Sequence, residues 1–426
     1  MFGISLFLDK EISLASMRIA LVNYILSRQQ GEPLMLYVIE HGDSGDHGVL
    51  ELLKKFAIEE ERLLYQSEYL GRYQHFALSL LEKGAAFACI CTEGDQTHAR
   101  SLAEDRCQNE QCLHDQKQIA TRIKSENLSY VIRIKPPKQT IVFTDTLLGD
   151  VSMSPAEIGS FALLGHDGKP TQDLSCAGKD ILADISTMIR SKEELVHTVR
   201  QIHIKNSLGY TAHTTYAHLP TTPPDQNDAI SHTTIRHLLT EGFLPDAIIN
   251  YLLLDTNSSS SKIFTLPEAV EWFALEELAQ APQPYDIQTL RTINQEHLRR
   301  MDPKALSRIF GFADADIGIL LQHYLSEATT TNELEQRLSV IFAPKCCTGK
   351  WEEEMQTVAA IIQQAPMFDE LDDLVSYIHQ ESGFTQEQIL EPLKLLITGA
   401  LDGPKLSDIY PLINPYLTEI ARCTSC

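Results

Sequence analysis

After Lys205 the chain has no lysine for 56 residues, the next being Lys262. Basic residues are scarce overall: 35 lysines and arginines stand against 58 aspartates and glutamates, a formal charge of −23 in 426 residues. That balance leaves room for a local basic groove but lowers the expectation of tight RNA binding, because phosphate contacts dominate such affinities, and no DNA partner is expected. It also fits a basic protein partner. No apolar run reaches the roughly 18 residues that span a bilayer. The first 20 residues, with Asp9, Lys10, Glu11 and Arg18, are too charged for a secretory signal. No membrane partner is expected, and the expected location is cytoplasmic.

Cysteines are few and uneven. Cys89, Cys91, Cys107 and Cys112 are crowded together, while Cys176, Cys346, Cys347, Cys423 and Cys426 are scattered. An odd count of nine in a large chain argues for thiols or a metal site rather than a disulfide framework. Cys346-Cys347 and the Cys423/Cys426 C-x-x-C have no evident partner ligands, and the sequence gives them no role. Hydrophobic content of 43% and charged content of 22% are those of an ordinary globular protein, long enough for two or three domains.

Ile4 to Leu8 is a short apolar run suited to a buried parallel strand. Ile12, Ala15, Ile19, Val22 and Leu26 then recur at helical spacing. Gly31 and Pro33 stop that helix, and Leu34 to Ile39 reads as a second strand. Strand, helix, strand is a βαβ unit, so the first domain should be doubly wound α/β. Tyr130 to Ile134 and Ile141-Val142-Phe143, around Pro136-Pro137, suggest a β-rich insertion. Phe161 to Leu164, a His166-Asp167-Gly168 turn and a helix over 193–208 restore the α/β pattern. The run from Asn257 through Ser258 to Ser261 reads as an exposed loop. Beyond it the pattern is helical: Leu266–Leu278, Asp286–Leu298, Pro303–Ile309, Asp314–Ala328, Asn332–Phe342, Trp351–Gln364 and three more. No internal repeat is visible.

Several segments, in order, resemble the bacterial glutamyl-tRNA synthetases, a class I family. Arg18, Ala20, Leu21 and Asn23 reproduce the R-x-A-L-x-N of its first helix, and Tyr65-Gln66-Ser67-Glu68 its Y-Q-S-E/D. Tyr130-Val131-Ile132-Arg133 and Asp167-Gly168-Lys169-Pro170-Thr171 match strands flanking its acceptor-binding insertion. Met188-Ile189-Arg190 resembles the start of V-I-R-G-E-D-H, and Ala217-His218-Leu219-Pro220 the next strand. Gly242-Phe243-Leu244-Pro245, Leu396-Ile397-Thr398-Gly399 and Gly403-Pro404-Lys405-Leu406 resemble later signatures. The resemblance implies a Rossmann-like catalytic-type domain with a β-rich zinc-site insertion, followed by an all-α anticodon-binding-type bundle. The expected divisions are 1–82 and 188–255 for the two Rossmann halves, 83–187 for the insertion, 256–302 for stem-contact helices and 303–426 for the bundle. The implied ancestral reaction joins ATP, glutamate and tRNA into glutamyl-tRNA.

That reaction drives negative charge onto phosphate, and the catalyst must supply donors and cations for it. The family's HIGH motif falls here on Ser13-Leu14-Ala15-Ser16, which has no imidazole. Ser13 and Ser16 are expected to be helix-cap residues. The arginine that would hold the substrate carboxylate is Gly3. The lysine loop K-[ML]-S-K-R corresponds to 221–234, where Asp225 and Asp228 replace cations and only His232 can become one. In the glutamate pocket the resemblance keeps Glu40 and Arg190, either as relics or as a structural ion pair, while Gln172 replaces a tyrosine. Cys89, Cys91, Cys112 and His114 form C-x-C-x20-C-x-H, which can close a tetrahedral structural zinc site; the alternative is thiols in a small core. The glycines and acids around 41–48 read as a polar surface turn.

Two functions follow. One is a catalytically silent synthetase-like protein that binds tRNA, or a protein such as a true synthetase or a tRNA amidotransferase. The other is an active glutamate-tRNA ligase, using ATP and magnesium, with a divergent active site.

Overall fold

The computed structural model describes residues 1–7, 11–39, 48–90, 110–220, 234–254, 263–277 and 286–424. Two compact units emerge, one built mainly from residues 1–236 with 264–277, the other from 237–251 with 286–424. The segment 256–302 therefore contributes to both.

The first unit opens with β1 (Phe2–Phe7), α1 (Leu14–Gln30), β2 (Leu34–Ile39), α2 (Gly48–Lys55), β3 (Arg62–Tyr65) and α3 (Leu70–Glu82). It continues through β4 (Ala86–Cys89), α4 (Glu110–His114), α5 (Gln116–Glu126), β5 (Val131–Ile134), β6 (Ile141–Asp145) and β7 (Gly149–Met153). It returns through α6 (Pro155–Ile158), β8 (Phe161–Leu164), α7 (Gln172–Ala183), β9 (Thr187–Ser191), α8 (Leu195–Leu208) and β10 (Thr215–Leu219).

All six residues of β2 are buried, as a central strand covered on both faces requires. The main sheet runs β3-β2-β1-β9-β10-β6-β7. Its first five strands are parallel neighbours, giving the doubly wound half that Ile4–Leu8 and Leu34–Ile39 predict. The Ile141–Met153 hairpin does not stand apart in an insertion: β6 pairs with β10 through Asp145 and Tyr216. The separate insertion sheet is β4-β5-β8, antiparallel.

Local chemistry sets the element ends. The Ser13 side chain caps α1 by accepting from Ser16 N–H, and Gly31 ends it at φ +63 with its N–H on Arg28 O. That left-handed C-cap suits glycine. Helix α7 buries nearly its whole length, and at Gly178 it approaches α3 so closely that an added Cβ would lie 2.6 Å from the Tyr73 ring.

Past β10 come α9 (Ile235–Thr240), α10 (Pro245–Leu253) and α11 (Leu266–Trp272). The second unit then runs α12 (Ile287–Arg300), α13 (Pro303–Ile309), α14 (Asp316–His323), α15 (Thr331–Phe342), β11 (Lys345–Cys346) and α16 (Glu352–Ile362). It continues with α17 (Leu371–Ser382), α18 (Gln386–Thr398), α19 (Leu406–Ile413), α20 (Leu417–Ile420) and β12 (Cys423–Thr424). Helix 303–309 has its expected bounds. The helix expected over Asp314–Ala328 stops at His323, where the chain tightens into turns and the Gln295 side chain takes the Leu325 and Ala328 carbonyls. Leucines and isoleucines of these helices form one buried core. The two-residue pair of β11 and β12 is a strand element that the helical pattern does not predict. Among the described residues no helix is long and apolar enough to cross a membrane.

Candidate functional site

In doubly wound sheets ligands sit at the carboxyl ends of the parallel strands, where crossovers diverge. Here those ends are approached by Ser5 on β1, Arg190 on β9, His218 on β10 and the start of α1. Arg190 lies opposite His218 in register. Both are buried, at 7% and 1% exposure.

The two are joined through α8. Arg190 Nη1 donates to Thr198 Oγ1 at 3.4 Å, and Thr198 Oγ1 lies 2.8 Å from His218 Nε2. His218 Nδ1 reaches Asp145 Oδ2 at 2.6 Å, and the other Asp145 oxygen accepts from Leu147 N–H and Leu148 N–H. With Nδ1–H given to the carboxylate, Nε2 accepts the Thr198 hydroxyl proton, so the donors run Arg190 to Thr198 to His218 to Asp145. Burial alone would raise the Asp145 carboxyl; the bonds from His218, Leu148 and Leu147 outweigh it and hold the group below its usual range. The order resembles a Thr–His–Asp relay, but Thr198 and His218 are 1% exposed. A nucleophile must meet its substrate, so this chain ties β6, β9, β10 and α8 together rather than attacking anything.

A second buried set fills the space under α7. Asp180 lies 3.1 Å from Lys179 and 3.4 Å from Lys205. Lys205 donates to Tyr216 Oη, and Lys179 to Ser5 Oγ at the end of β1. Burial opposes ionisation of Asp180, yet Lys179, Lys205 and Arg190 hold its carboxyl low. Asp173 takes His197 Nδ1 at 2.8 Å and Arg200 at 3.3 Å. Lys179, Lys205 and Arg200 are thus spent on internal carboxylates, while Arg190 is held by the Thr198 hydroxyl.

The residues singled out in the sequence fare differently. Ser13 and Ser16 bond each other at 3.0 Å while Ser13 caps α1, as the cap reading expects, and Ser13 also bridges to Thr234. At Gly3 an added Cβ would meet Ile185 Cδ1 at 3.1 Å, so a larger residue there needs the end of the Ile185 side chain to give by a few tenths of an ångström. Arg190 sits at the strand ends, engaged as described. Burial would lower its pKa, but Glu194, Cys176, Asp180 and Tyr216 raise it. Glu40, the 41–47 turn and the 221–233 stretch with Asp225, Asp228 and His232 lie outside the described residues, so no Glu40–Arg190 pair is among the observed contacts.

Of the four zinc candidates, Cys89 and Cys112 fall in one small apolar cluster with Phe87, Ile119 and Val131, and neither is disulfide-bonded. Gln116 draws them together, bonding both backbone groups of Ala88 and the Cys112 carbonyl. His114 is exposed, and Cys91 lies outside the described residues. Among the described residues no group of three or more histidine, cysteine or acidic side chains is set to hold a metal.

Sequence reasoning missed the Asp145 and Asp173 networks. Their signal was faint, a histidine within the Ala217–Pro220 match and charges on an otherwise apolar α7. It also left Cys347 and Cys423 without partners. They are bonded to each other, because α16 to α20 fold back and set β12 beside β11.

A parallel five-strand half-sheet with its polar residues gathered at the strand ends, followed by helices, is the architecture of a class I synthetase. Residues 14–292 match the family model for tRNA synthetases class I (E and Q), catalytic domain. The chain is 41% identical over 419 residues to a Sulfurovum sp. (strain NBC37-1) protein named Glutamate--tRNA ligase 2, covering 95% of this chain and 96% of that one. It is 35% identical to Glutamate--tRNA ligase 2 of Sulfurimonas denitrificans, covering 97% of this chain and 98% of that one. In fold it resembles a glutamate tRNA ligase from Elizabethkingia meningosepticum, solved in complex with its amino acid, at TM-score 0.75 and 18% identity over 98% of this chain and 97% of that one. The chain belongs to the glutamyl-tRNA synthetase family of class I synthetases.

Proposed function

We propose that this member of the family is silent for glutamate activation and acts by binding, either to tRNA or to a protein of the tRNA-Glu/Gln pathway. The observation that carries the reading is the Ser13–Ser16 pair: where family members place two imidazoles, two hydroxyls satisfy each other and the N-terminus of α1. Helix α1 still points its partial positive end that way. A dipole end alone does not replace two cationic donors. Each lost donor removes about 3 kcal/mol of transition-state stabilisation, so two remove about 6 kcal/mol, on the order of 10⁴-fold in rate.

Gly3 against Ile185 supports the same reading from the substrate side, and the acidic 221–234 sequence supports it from the phosphate side. The residues present do not fit ATP. In this reading the cytoplasm is the place of action, the divisions 1–82, 83–187, 188–255, 256–302 and 303–426 keep their family roles in binding, and Cys89, Cys91, Cys112 and His114 hold a structural zinc.

The second reading, an active ligase using ATP and magnesium, is favoured by the 41% identity to a protein named a glutamate-tRNA ligase. Glutamate-dependent ATP–pyrophosphate exchange with tRNA, beside a competent synthetase, separates the two. Exchange within about 10⁴-fold of the control, the loss worked out above, rules silence out. Absence of exchange at high protein concentration supports it.

A further inference from the structure

The bend between α16 and α17 carries a surface that the candidate site does not use. Between Lys350 and Lys394 the chain has neither lysine nor arginine. Within that stretch Asp369, Glu370, Asp372 and Asp373 crowd around Leu371, and all four acids are exposed. Glu370 stands at the N-cap of α17 without a side-chain cap bond. The field at the bend has one sign: burial raises the Tyr410 hydroxyl, and Asp369 and Asp373 raise it further with no cation countering them. Met367 projects from the same bend and is 70% exposed. Its backbone is fixed from below, because Phe368 O accepts from Tyr410 Oη at 2.8 Å and from Asn414 Nδ2 at 2.7 Å. The Phe368 ring lies 5.3 Å from the Tyr377 ring and packs against the core.

A lone exposed methionine is ordinary, and acids in the first turn of a helix favour its dipole. Neither accounts for an apolar side chain held on a fixed bend inside a rim of like charge. That rim decides what can cover it. RNA phosphates need accessible cations, which 351–393 does not have. An anionic membrane surface meets the same repulsion, and a second copy of the chain brings its own −23. A cationic partner is attracted and relieves the repulsion among the four carboxylates. We propose that this bend docks a basic segment of a partner protein, its lysines or arginines pairing with Asp369, Glu370, Asp372 and Asp373 and an apolar side chain packing on Met367. The proposal rests on the binding role above and names the chemistry of the partner and the surface that meets it. The rim charges speed the encounter, and the preset apolar contact holds it at small ordering cost. A thioether adapts to the shape of whatever apolar side chain arrives.

The experiment uses the full chain and a fluorescein-labelled amphipathic peptide of lysine and leucine, read by anisotropy at physiological salt. A lysine–serine peptide of the same charge is the control for the apolar contact and should bind more weakly. Met367→Ser should weaken the lysine–leucine peptide by about tenfold, as should Asp369→Asn with Asp373→Asn. Glu241→Gln with Glu335→Gln makes the same charge change at exposed positions elsewhere and should leave binding unchanged. Equal weakening by that control pair overturns the proposal, because general attraction to an acidic chain then suffices. An unchanged affinity in Met367→Ser overturns it too. So does tRNA binding that the same variants lose, or a self-associated form that they dissolve, since the face then serves RNA or a second copy. Pyrophosphate exchange by the parent would sink catalytic silence and leave this result standing. Absence of peptide binding would sink the docking surface and leave silence standing.

Discussion

Replacing Asp145 tests whether the buried chain from Arg190 to β6 holds the first unit together. Asp145→Ala strips the acceptor from His218 Nδ1–H and from the Leu147 and Leu148 amides. A buried donor left unsatisfied costs about 1–3 kcal/mol. The imidazole is fully enclosed, while the turn amides reach some water, so the total is about 3–4 kcal/mol. Asp145→Asn keeps an oxygen for both amides. Its amide nitrogen can donate to His218 Nδ1 once the ring proton moves to Nε2, which then donates to Thr198. Thr198 in turn has the Glu194 carbonyl at 3.3 Å for its own proton. Only the charge assistance is lost, about 1 kcal/mol. Trp272 lies in the first unit and Trp351 in the second, and the chain has no other tryptophan. Urea unfolding followed by fluorescence in a Trp351→Phe background therefore reports on the first unit alone. Equal losses below about 1 kcal/mol for both substitutions would refute the reasoning. An acid-side control follows from linkage: the Asp145 carboxyl is held below its unfolded value, so its contribution is present above the unfolded pKa and lost as pH falls through the folded one. Asp145→Asn should flatten stability on that acid side and leave neutral pH slopes unchanged.

Two further substitutions probe the surrounding structure. Gly178→Ala drives a methyl to 2.6 Å from Tyr73 and should cost about 1–3 kcal/mol by overpacking; a neutral effect in the same fluorescence assay would mean α3 and α7 are not rigidly apposed. His197 is raised above its usual pKa, chiefly by the hydrogen bond to Asp173. Its contribution is therefore complete below the unfolded value and lost as pH rises through the folded one, and His197→Gln should remove a decline in melting temperature as pH rises above the ordinary histidine value.

The fold was legible where one physical signal acted alone. Leu34 to Ile39 is a strand in the structure because every residue is buried, and the run of apolar side chains said so. Ser13 as a cap needed only its place before an apolar helix. Asp145 could not be read, because it sits in what looked like an insertion strand. Its value comes from pairing with His218, 73 residues away. Lys179, Asp180 and Lys205 look like solvated charges on two amphipathic helices, and only tertiary packing shows that they satisfy one another. Cys347 and Cys423 were opaque for the same reason: adjacency in space depends on how five helices between them turn. The glycine at Gly3 and the serines at Ser13 and Ser16 were read from the sequence alone, and the coordinates add that Ser13 caps α1.

Those buried charges bear on the partner. Arg133, Lys179, Arg190, Arg200, Lys205 and Lys345 are buried, so at least six of the 35 cations cannot meet an external phosphate. Only three of the 58 carboxylates, Asp145, Asp173 and Asp180, are buried with them among the described residues. Among the described residues, burial thus removes more positive than negative charge from the surface. Affinity for tRNA comes largely from releasing counterions at phosphates, and each contact needs an accessible cation. A chain that turns its cations inward and keeps its acids outside has reduced that term while keeping the family's scaffold. Long-range attraction would then work in favour of a basic protein surface. Within the proposed binding role, this burial lowers the electrostatic term available to tRNA and leaves more of the work to contacts other than phosphate pairing.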